Sequence, residues 1–255
     1  MLMALTREVS AALESCQLTH LPRVAIDIDR ARAQHAAYEW ALVEEGATVR
    51  RLDSGPDMPD AVFLEDIAVV LDEGAVICRP GATSRRVETP GVIDALTRHG
   101  RALQDIRAPG TLDGGDVLVI GREVFVGSSS RTNRPAIDQL SRMLGPVGYT
   151  VRAVPVRGCL HLKSAVTAVA PDTLLINRDW VPVEAFRGHS LIDVDPREPR
   201  AANALPIGDV VIYPASFPRT RQRLERRGLR IRPVDVDELQ KAEGAVTCCS
   251  LVFEL

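Results

Sequence analysis

The sequence predicts an α/β fold of five similar modules set around a centre. Pairs of β-branched runs are joined by short polar turns, helical segments alternate with those pairs, and this hairpin-plus-helix theme returns roughly every fifty residues. The modules share no obvious sequence identity, so the period rests on element pattern alone. An ordinary α+β domain is the competing reading. No Gly/Ser-rich linker divides the chain, and residues 1–255 are read as a single domain.

The first helix is predicted over Asp29 to Glu45. Ala33, Ala36, Ala37, Trp40 and Ala41 form an apolar stripe at helical spacing, and Gly46 ends it. Val62–Val70 and Ala75–Cys78 flank Asp72-Glu73-Gly74 as the arms of a hairpin flank its turn. Pro90 to His99 is the second helix, with Thr89 as N-cap, Pro90 in the first turn and Gly100 beyond the end. Val117–Ile120 and Val124–Val126 pair across Gly121-Arg122-Glu123, and the third helix, Arg134 to Leu144, follows Asn133. Ala165–Ala168 and Leu174–Ile176 pair across Pro171-Asp172-Thr173, with a short fourth helix near Val183 to Arg187. Val210–Tyr213 follows the turn Ile207-Gly208-Asp209, and the fifth helix runs from Arg219 to Arg227 and stops at Gly228.

Composition narrows the function classes. A formal net charge of −3 offers no electrostatic case for binding nucleic acid or an anionic membrane. No apolar stretch approaches the roughly 20 residues that span a bilayer. Met1 to Cys16 carries Glu8 and Glu14 and lacks the continuous apolar region of a signal peptide. The five cysteines are odd in number and scattered, which argues against a disulfide framework and for a reducing, cytoplasmic setting. Neither CxxC nor HxxxH occurs, so no structural zinc is expected.

Cys248-Cys249 follows Gly244-Ala245-Val246-Thr247 near the C-terminus. A free cysteine is ordinarily a small buried hydrophobe, and a histidine between leucines, such as His161, is ordinarily a core residue. Together they admit a thiol nucleophile with an imidazole acid/base. Adjacent strand residues point to opposite faces, so one of the two cysteines can face a given pocket; the alternation of Leu251 and Phe253 against Val252 does not choose which. Acidic residues add weight: Asp60, Glu65 and Asp66 lie around Val62-Phe63-Leu64, and Asp113 begins Asp113-Gly114-Gly115-Asp116. Carboxylates in apolar strand sequence are costly to bury without cationic partners. Gly114-Gly115 allows either a close backbone approach or a plain tight turn, and Asp116 reads as a turn or strand-edge carboxylate. An acidic pocket beside a thiol suits a guanidinium, whose parallel N–H groups carboxylates receive in bidentate fashion. Arg85 and Arg131, each a surface charge when taken alone, would together suit an α-carboxylate.

Six ordered segments carry a resemblance: Phe63-Leu64-Glu65-Asp66, Arg79 to Arg86, Thr111 to Leu118, Ser130-Arg131-Thr132-Asn133, Leu160 to Ser164, and Thr247-Cys248-Cys249-Ser250. In that order and at those separations the chain resembles the dimethylarginine dimethylaminohydrolases, from about Ile26 to the C-terminus. The resemblance implies a pentein-type fold, the pseudo-symmetric five-module α/β propeller of the guanidino-group-modifying superfamily. It implies Cys248 as nucleophile, since relatives place the nucleophile first, and His161 as general acid/base. It further implies Asp66 and Asp113 around the guanidinium, with Glu65 in the same acidic segment. Several relatives carry Glu at the position of Asp113, and the shorter side chain could shift that contact. Arg85 and Arg131 would take the substrate carboxylate, Asp60 the α-amino group, and Ala242 would offer a backbone carbonyl. Leu18 would sit on a mobile lid. The activity so implied is hydrolysis of methylated arginine to citrulline through a covalent thiouronium, with a small-molecule substrate and no metal or organic cofactor. Oligomeric state is not read from the sequence, and a homodimer is left open. An arginine deiminase, a non-catalytic arginine-binding protein and a cysteine protease are the alternatives.

Overall fold

The computed structural model describes residues 1–55 and 58–255. Strand β1 (Leu2–Arg7) is followed by helix α1 (Ile28–Glu44) and strand β2 (Thr48–Leu52), which returns parallel to β1. The next module holds β3 (Ala68–Leu71), β4 (Gly74–Ile77), α2 (Thr89–Arg98) and β5 (Leu103–Asp105). Then come β6 (Val117–Ile120), β7 (Glu123–Ser128), α3 (Arg134–Leu144) and β8 (Thr150–Pro155). A single-turn helix, α4 (Leu162–Ala165), leads into β9 (Val166–Ala170), β10 (Thr173–Ile176) and β11 (Ser190–Asp193). Last are β12 (Leu205–Ile207), β13 (Val210–Pro214), α5 (Pro218–Arg226), β14 (Arg230–Val234), the single-turn α6 (Asp237–Gln240) and β15 (Leu251–Glu254). The strands form five three-stranded sheets, each an antiparallel pair whose central strand also takes a parallel partner. In one sheet the antiparallel pair comes from the two ends of the chain: Leu2 lies opposite Glu254 and Leu5 opposite Leu251. The inner strands β3, β6, β9, β12 and β15 all line one cavity of about 250 Å³, with Ala68, Val117, Ala168, Leu205 and Leu251 among its walls. This is the five-module α/β propeller.

Helix α3 shows how the local sequence builds a module. Asn133 caps it by accepting from Ala136 N–H at 3.1 Å, and Pro135 occupies its first turn. Ala136, Ile137, Leu140 and Leu144 fall on one face and pack with Val124 and Val126 of β7. Burying each of the larger side chains stabilises the module by about 1.5–3 kcal/mol.

Several expectations are corrected. The predicted stripe on α1 is largely on the wrong face: Ala33, Ala36, Ala37 and Trp40 are exposed, whereas Gln34, His35, Tyr38, Glu39 and Leu42 are buried. Apart from His35, whose Nε2 has no hydrogen-bond partner, the buried polar groups have partners that a local pattern cannot reveal. Gln34 donates to Asp237, Tyr38 pairs with Ser250, and Glu39 accepts from Thr6 and Arg51. Thr89 is the first residue of α2 rather than its cap, because a 3-10 turn, Thr83–Glu88, runs into the helix. Val62–Val70 is not one strand: Leu64–Ile67 forms a 3-10 turn and β3 begins at Ala68. A strand would send Glu65 and Asp66 to opposite faces, and the turn lets both be buried. Ala165 belongs to α4, and the segment near Val183 is a 3-10 turn, Val183–Phe186. Cys248 and Cys249 lie in a turn before β15, so strand alternation does not govern them.

Candidate active site

The segments that precede the inner strands meet at one end of the propeller axis. The turn before β3 carries Glu65 and Asp66, the turn before β6 follows Asp113, and His161 stands at the start of α4. Asn203 precedes β12, and Thr247 and Cys248 precede β15. Hydrogen bonds stitch these segments together. Lys163 Nζ donates to Glu65 Oε1 at 2.5 Å, and the Thr247 hydroxyl donates to Glu65 Oε2 at 2.7 Å. Asn203 donates to Thr247 Oγ1 at 2.9 Å and accepts from Thr247 N–H at 3.0 Å. Glu65 N–H donates to the Cys248 carbonyl at 3.1 Å. Burial raises the Glu65 pKa, while Lys163 and Thr247 favour its charged form.

His161 sits between two carboxylates. Its Nε2 is 3.1 Å from Asp113 Oδ2, and its Nδ1 is 3.7 Å from Asp66 Oδ1. Burial opposes charge on the ring, but Asp66, the hydrogen bond to Asp113 and the charge of Asp116 outweigh it and raise the pKa to about 9. The resting ring is therefore an imidazolium at neutral pH. Asp66 is held below the usual carboxylate range: burial pushes it up, and the His161 charge, Arg85 and the Gly115 N–H together override that. Asp113 Oδ1 accepts from Gly81 N–H at 2.8 Å, and its Oδ2 also lies 3.6 Å from Arg131 Nη1. The close approach allowed by Gly114-Gly115 is real. A Cβ on Gly115 would stand 2.6 Å from His161 Nδ1 and 2.7 Å from Asp66 Oδ1, and one on Gly114 would stand 2.0 Å from the Glu65 carbonyl oxygen. Asp116 is fully buried and accepts from Leu162 N–H at 2.9 Å and the Ser129 hydroxyl at 2.6 Å, which fixes the start of α4 beside His161. Burial pushes its carboxyl up to about 6.

The two cysteines differ in environment. Cys249 is fully buried in the core with its thiol donating to the Ala245 carbonyl at 3.3 Å. Cys248 is half-buried and lines a cavity of about 430 Å³ together with Leu160, Ser164, Trp180, Asn203 and Gly244. Burial pushes the Cys248 thiol well up, and the charges of Glu65 and Asp66 push it further; the Ala245 N–H and Lys163 oppose them. At rest the group is a thiol, not a thiolate.

Of the remaining sequence-predicted residues, Arg85, Arg131 and Asp60 connect to this centre, whereas Leu18 and Ala242 make no hydrogen bond or ion pair with it among the described residues. Arg85 is buried, with Nε and Nη2 each 2.9 Å from a Glu88 carboxylate oxygen, Nη1 on Asp66, and Nη2 also donating to the Phe63 carbonyl at 2.8 Å. Arg131 is less committed: besides Asp113 it reaches the Thr19 hydroxyl at 3.2 Å. Asp60 Oδ1 accepts from Gln17 N–H at 3.0 Å, while its Oδ2 is buried with no hydrogen-bond partner. Burial raises the Asp60 carboxyl to about 6 against the pull of Arg85 and the Gln17 N–H. Leu18 is half-buried against the core on a segment without regular secondary structure, and Ala242 is buried just past α6. Asp66, Asp113 and His161 are the one group of described residues spaced to hold a metal ion, with ligand atoms within 4.8 Å of one another. Arg85 and Arg131 already face the two carboxylates and His161 is itself charged, an environment that disfavours a divalent cation. Sequence reasoning assigned no role to Lys163, Glu88, Asn203 or Thr247. Asn203 carries a weak signal, a polar residue in an apolar stretch, but its partners are far apart in sequence; Glu88 pairs with Arg85 only three residues away, a spacing that was open to sequence reasoning.

Comparison with known proteins places this geometry in context. The model of the family described as "N,N dimethylarginine dimethylhydrolase, eukaryotic" matches residues 16–254. The chain is 41% identical over 248 residues to the dimethylarginine dimethylaminohydrolase of Streptomyces coelicolor, covering 97% of this chain and 95% of that protein. It is 34% identical over 228 residues to the Pseudomonas aeruginosa enzyme of the same name, covering 89% and 90%. Among solved structures, a histidine-to-glycine variant of a dimethylarginine dimethylaminohydrolase, as an adduct with S-methyl-L-thiocitrulline, superposes with a TM-score of 0.92 at 32% identity over 99% of this chain and all of that one. A cysteine-to-serine mutant of the Pseudomonas aeruginosa enzyme complexed with citrulline gives 0.91 at 32% identity, covering 98% of each chain.

Proposed function

The chain belongs to the dimethylarginine dimethylaminohydrolase family, and on that premise we propose that it hydrolyses Nω-methylated arginine to citrulline, with Cys248 as nucleophile and His161 as general acid/base. The observation that carries the assignment of roles is the buried Asp66–His161–Asp113 array, whose Asp66 charge also acts on the Cys248 thiol. A guanidinium entering between the two carboxylates brings positive charge close to the thiol and favours loss of its proton to solvent as substrate binds, since His161 already carries its own proton. The Cys248 sulfur then bonds to the guanidinium carbon, giving a tetrahedral adduct whose charge Asp66 and Asp113 balance. Imidazolium His161 protonates the departing methylamine or dimethylamine. The ring, now neutral, takes a proton from water, which attacks the thiouronium carbon; the C–S bond of this second adduct then breaks, releasing citrulline and the Cys248 thiolate, which regains a proton from solvent. The unpartnered Asp60 Oδ2 is suited to the α-ammonium, which would restore charge to a carboxyl raised by burial. Leu18 and the Ala242 carbonyl complete that end of the site, and no cofactor enters the scheme.

Residues 1–255 act as one domain in this reading. The five free thiols fit a reducing, cytoplasmic setting. Among the described residues no helix is long and apolar enough to cross a membrane.

Incubation with arginine, monomethylarginine, dimethylarginine and agmatine, followed by identification of the amine released, tests the reading. Dimethylamine or methylamine together with citrulline is the expected result; ammonia from arginine with the methylated substrates untouched would make the chain a deiminase.

The two arginines are expected to separate. Arg131→Ala weakens binding, with apparent KM raised by the loss of one charge-assisted contact of roughly 1.5–3 kcal/mol and kcat little changed. Arg85→Ala also lowers stability, because it strands the buried carboxylates of Glu88 and Asp66; breaking such a pair costs about 3–5 kcal/mol. Thermal melts beside steady-state kinetics distinguish the two, and an unchanged KM in both variants would remove the carboxylate assignment. Gly115→Ala is expected to lower kcat roughly 10²-fold by pushing His161 and Asp66 apart. Gly145→Ala, where a Cβ meets nothing within 4 Å, is the control and keeps full turnover.

A further inference from the structure

Residues between the turn at Leu13–Ser15 and α1 form no helix or strand, so their backbone N–H groups have no ladder to join. One carboxylate receives three of them in succession. Glu243 accepts from Thr19 N–H at 3.0 Å through Oε2, and from His20 and Leu21 N–H at 2.5 and 2.6 Å through Oε1. Glu243 is also the one non-glycine residue with positive φ among the described residues, at 60°. That conformation favours glycine, and a side chain persists there when its surroundings hold it. Glu243 follows Ala242, and with His20, Leu21 and Gly244 it lines the cavity that Cys248 lines. Gly244 is bound to be glycine by packing, since a Cβ there would stand 2.0 Å from the Phe63 ring.

Two other groups touch the same segment: Asp60 accepts from Gln17 N–H, and Arg131 donates to the Thr19 hydroxyl. Both are residues assigned above to the substrate's α-amino and carboxylate groups; the hold of Arg131 on Thr19 competes with the substrate carboxylate, while Asp60 holds Gln17 through Oδ1 and keeps Oδ2 for the ammonium. The hold of Glu243 does not compete with substrate. We propose that Glu243 is a positioning residue, a latch that keeps residues 17–21 closed over the site while Arg131 exchanges the segment for substrate. The proposal rests on the hydrolase reading for its effect on turnover and on geometry alone for the latch itself.

Glu243→Gly and Glu243→Gln test it in the full chain. Glycine is at ease at a φ of 60°, so Glu243→Gly should melt at or above the wild-type temperature. Amide exchange at Thr19, His20 and Leu21 should accelerate by about tenfold or more as charge-assisted bonds are lost. KM for dimethylarginine should rise by about tenfold while kcat changes less than about threefold, because the segment contacts the end of the substrate remote from the reacting carbon. Glu243→Gln keeps an acceptor oxygen without the charge and should fall between wild type and glycine. Unchanged exchange at 19–21 would overturn the latch, and so would fast exchange with an unchanged KM. If the wild type releases no citrulline, the hydrolase reading fails instead, and the exchange measurement decides the latch by itself.

Discussion

Cys248→Ser is expected to fold normally and to lose turnover by a factor on the order of 10⁴ or more. A hydroxyl is far harder to deprotonate than a thiol, and the site supplies no strong base at rest because His161 is already charged. The substrate cation can lower a thiol pKa into reach, but not that of a serine hydroxyl. Cys249→Ser should keep most activity. Its side chain is buried away from the cavity, and a hydroxyl there can still donate to the Ala245 carbonyl, so the cost is about 1 kcal/mol of stability. Labelling with a chloroacetamidine and mapping the modified peptide decides between the pair: modification at Cys249 with Cys248 left free would reverse the assignment.

His161→Gly is expected to lose roughly 10²–10⁴-fold in turnover while still binding substrate, because the same imidazole serves both halves of the reaction. The substitution also has a signature in stability. The folded-state pKa of about 9 lies above the ordinary value of 6.5, so between those values the native protein holds a proton that the unfolded chain has released. Stability from this group is complete below pH 6.5 and is lost as pH rises through 9. The loss is on the order of 3 kcal/mol across that window. Urea unfolding at pH 6.5 and pH 9 should show a fall in wild type that is much smaller in His161→Gly. Equal falls in the two proteins would place the titrating proton elsewhere, and near-normal steady-state turnover in the variant would reassign the base.

What the sequence by itself determined is local. Helix α3 is legible to the residue, because Asn133, Pro135 and the stripe from Ala136 to Leu144 all report on one face and two ends of the same element. Three hairpins are legible because their arms and turns are contiguous, the fourth by its turn and second arm alone, and the ordered motifs make Cys248, His161, Asp66 and Asp113 candidates before any coordinates. The fifth antiparallel pair escapes, since β1 and β15 lie at opposite ends of the chain. The parallel third strands escape too: stretches such as Thr48–Leu52 and Arg230–Val234 are half-exposed and rich in arginine, and they become strands by joining a hairpin already formed. Tertiary structure alone decided which face of α1 is buried, because Gln34 and Glu39 are satisfied by groups on other elements. It alone decided that Arg85 meets Asp66, that Lys163 meets Glu65, and that Glu243 holds the segment at 19–21. Periodicity and capping are properties of a few successive residues, whereas the pairing of buried charges depends on which segments the closed ring of modules brings together.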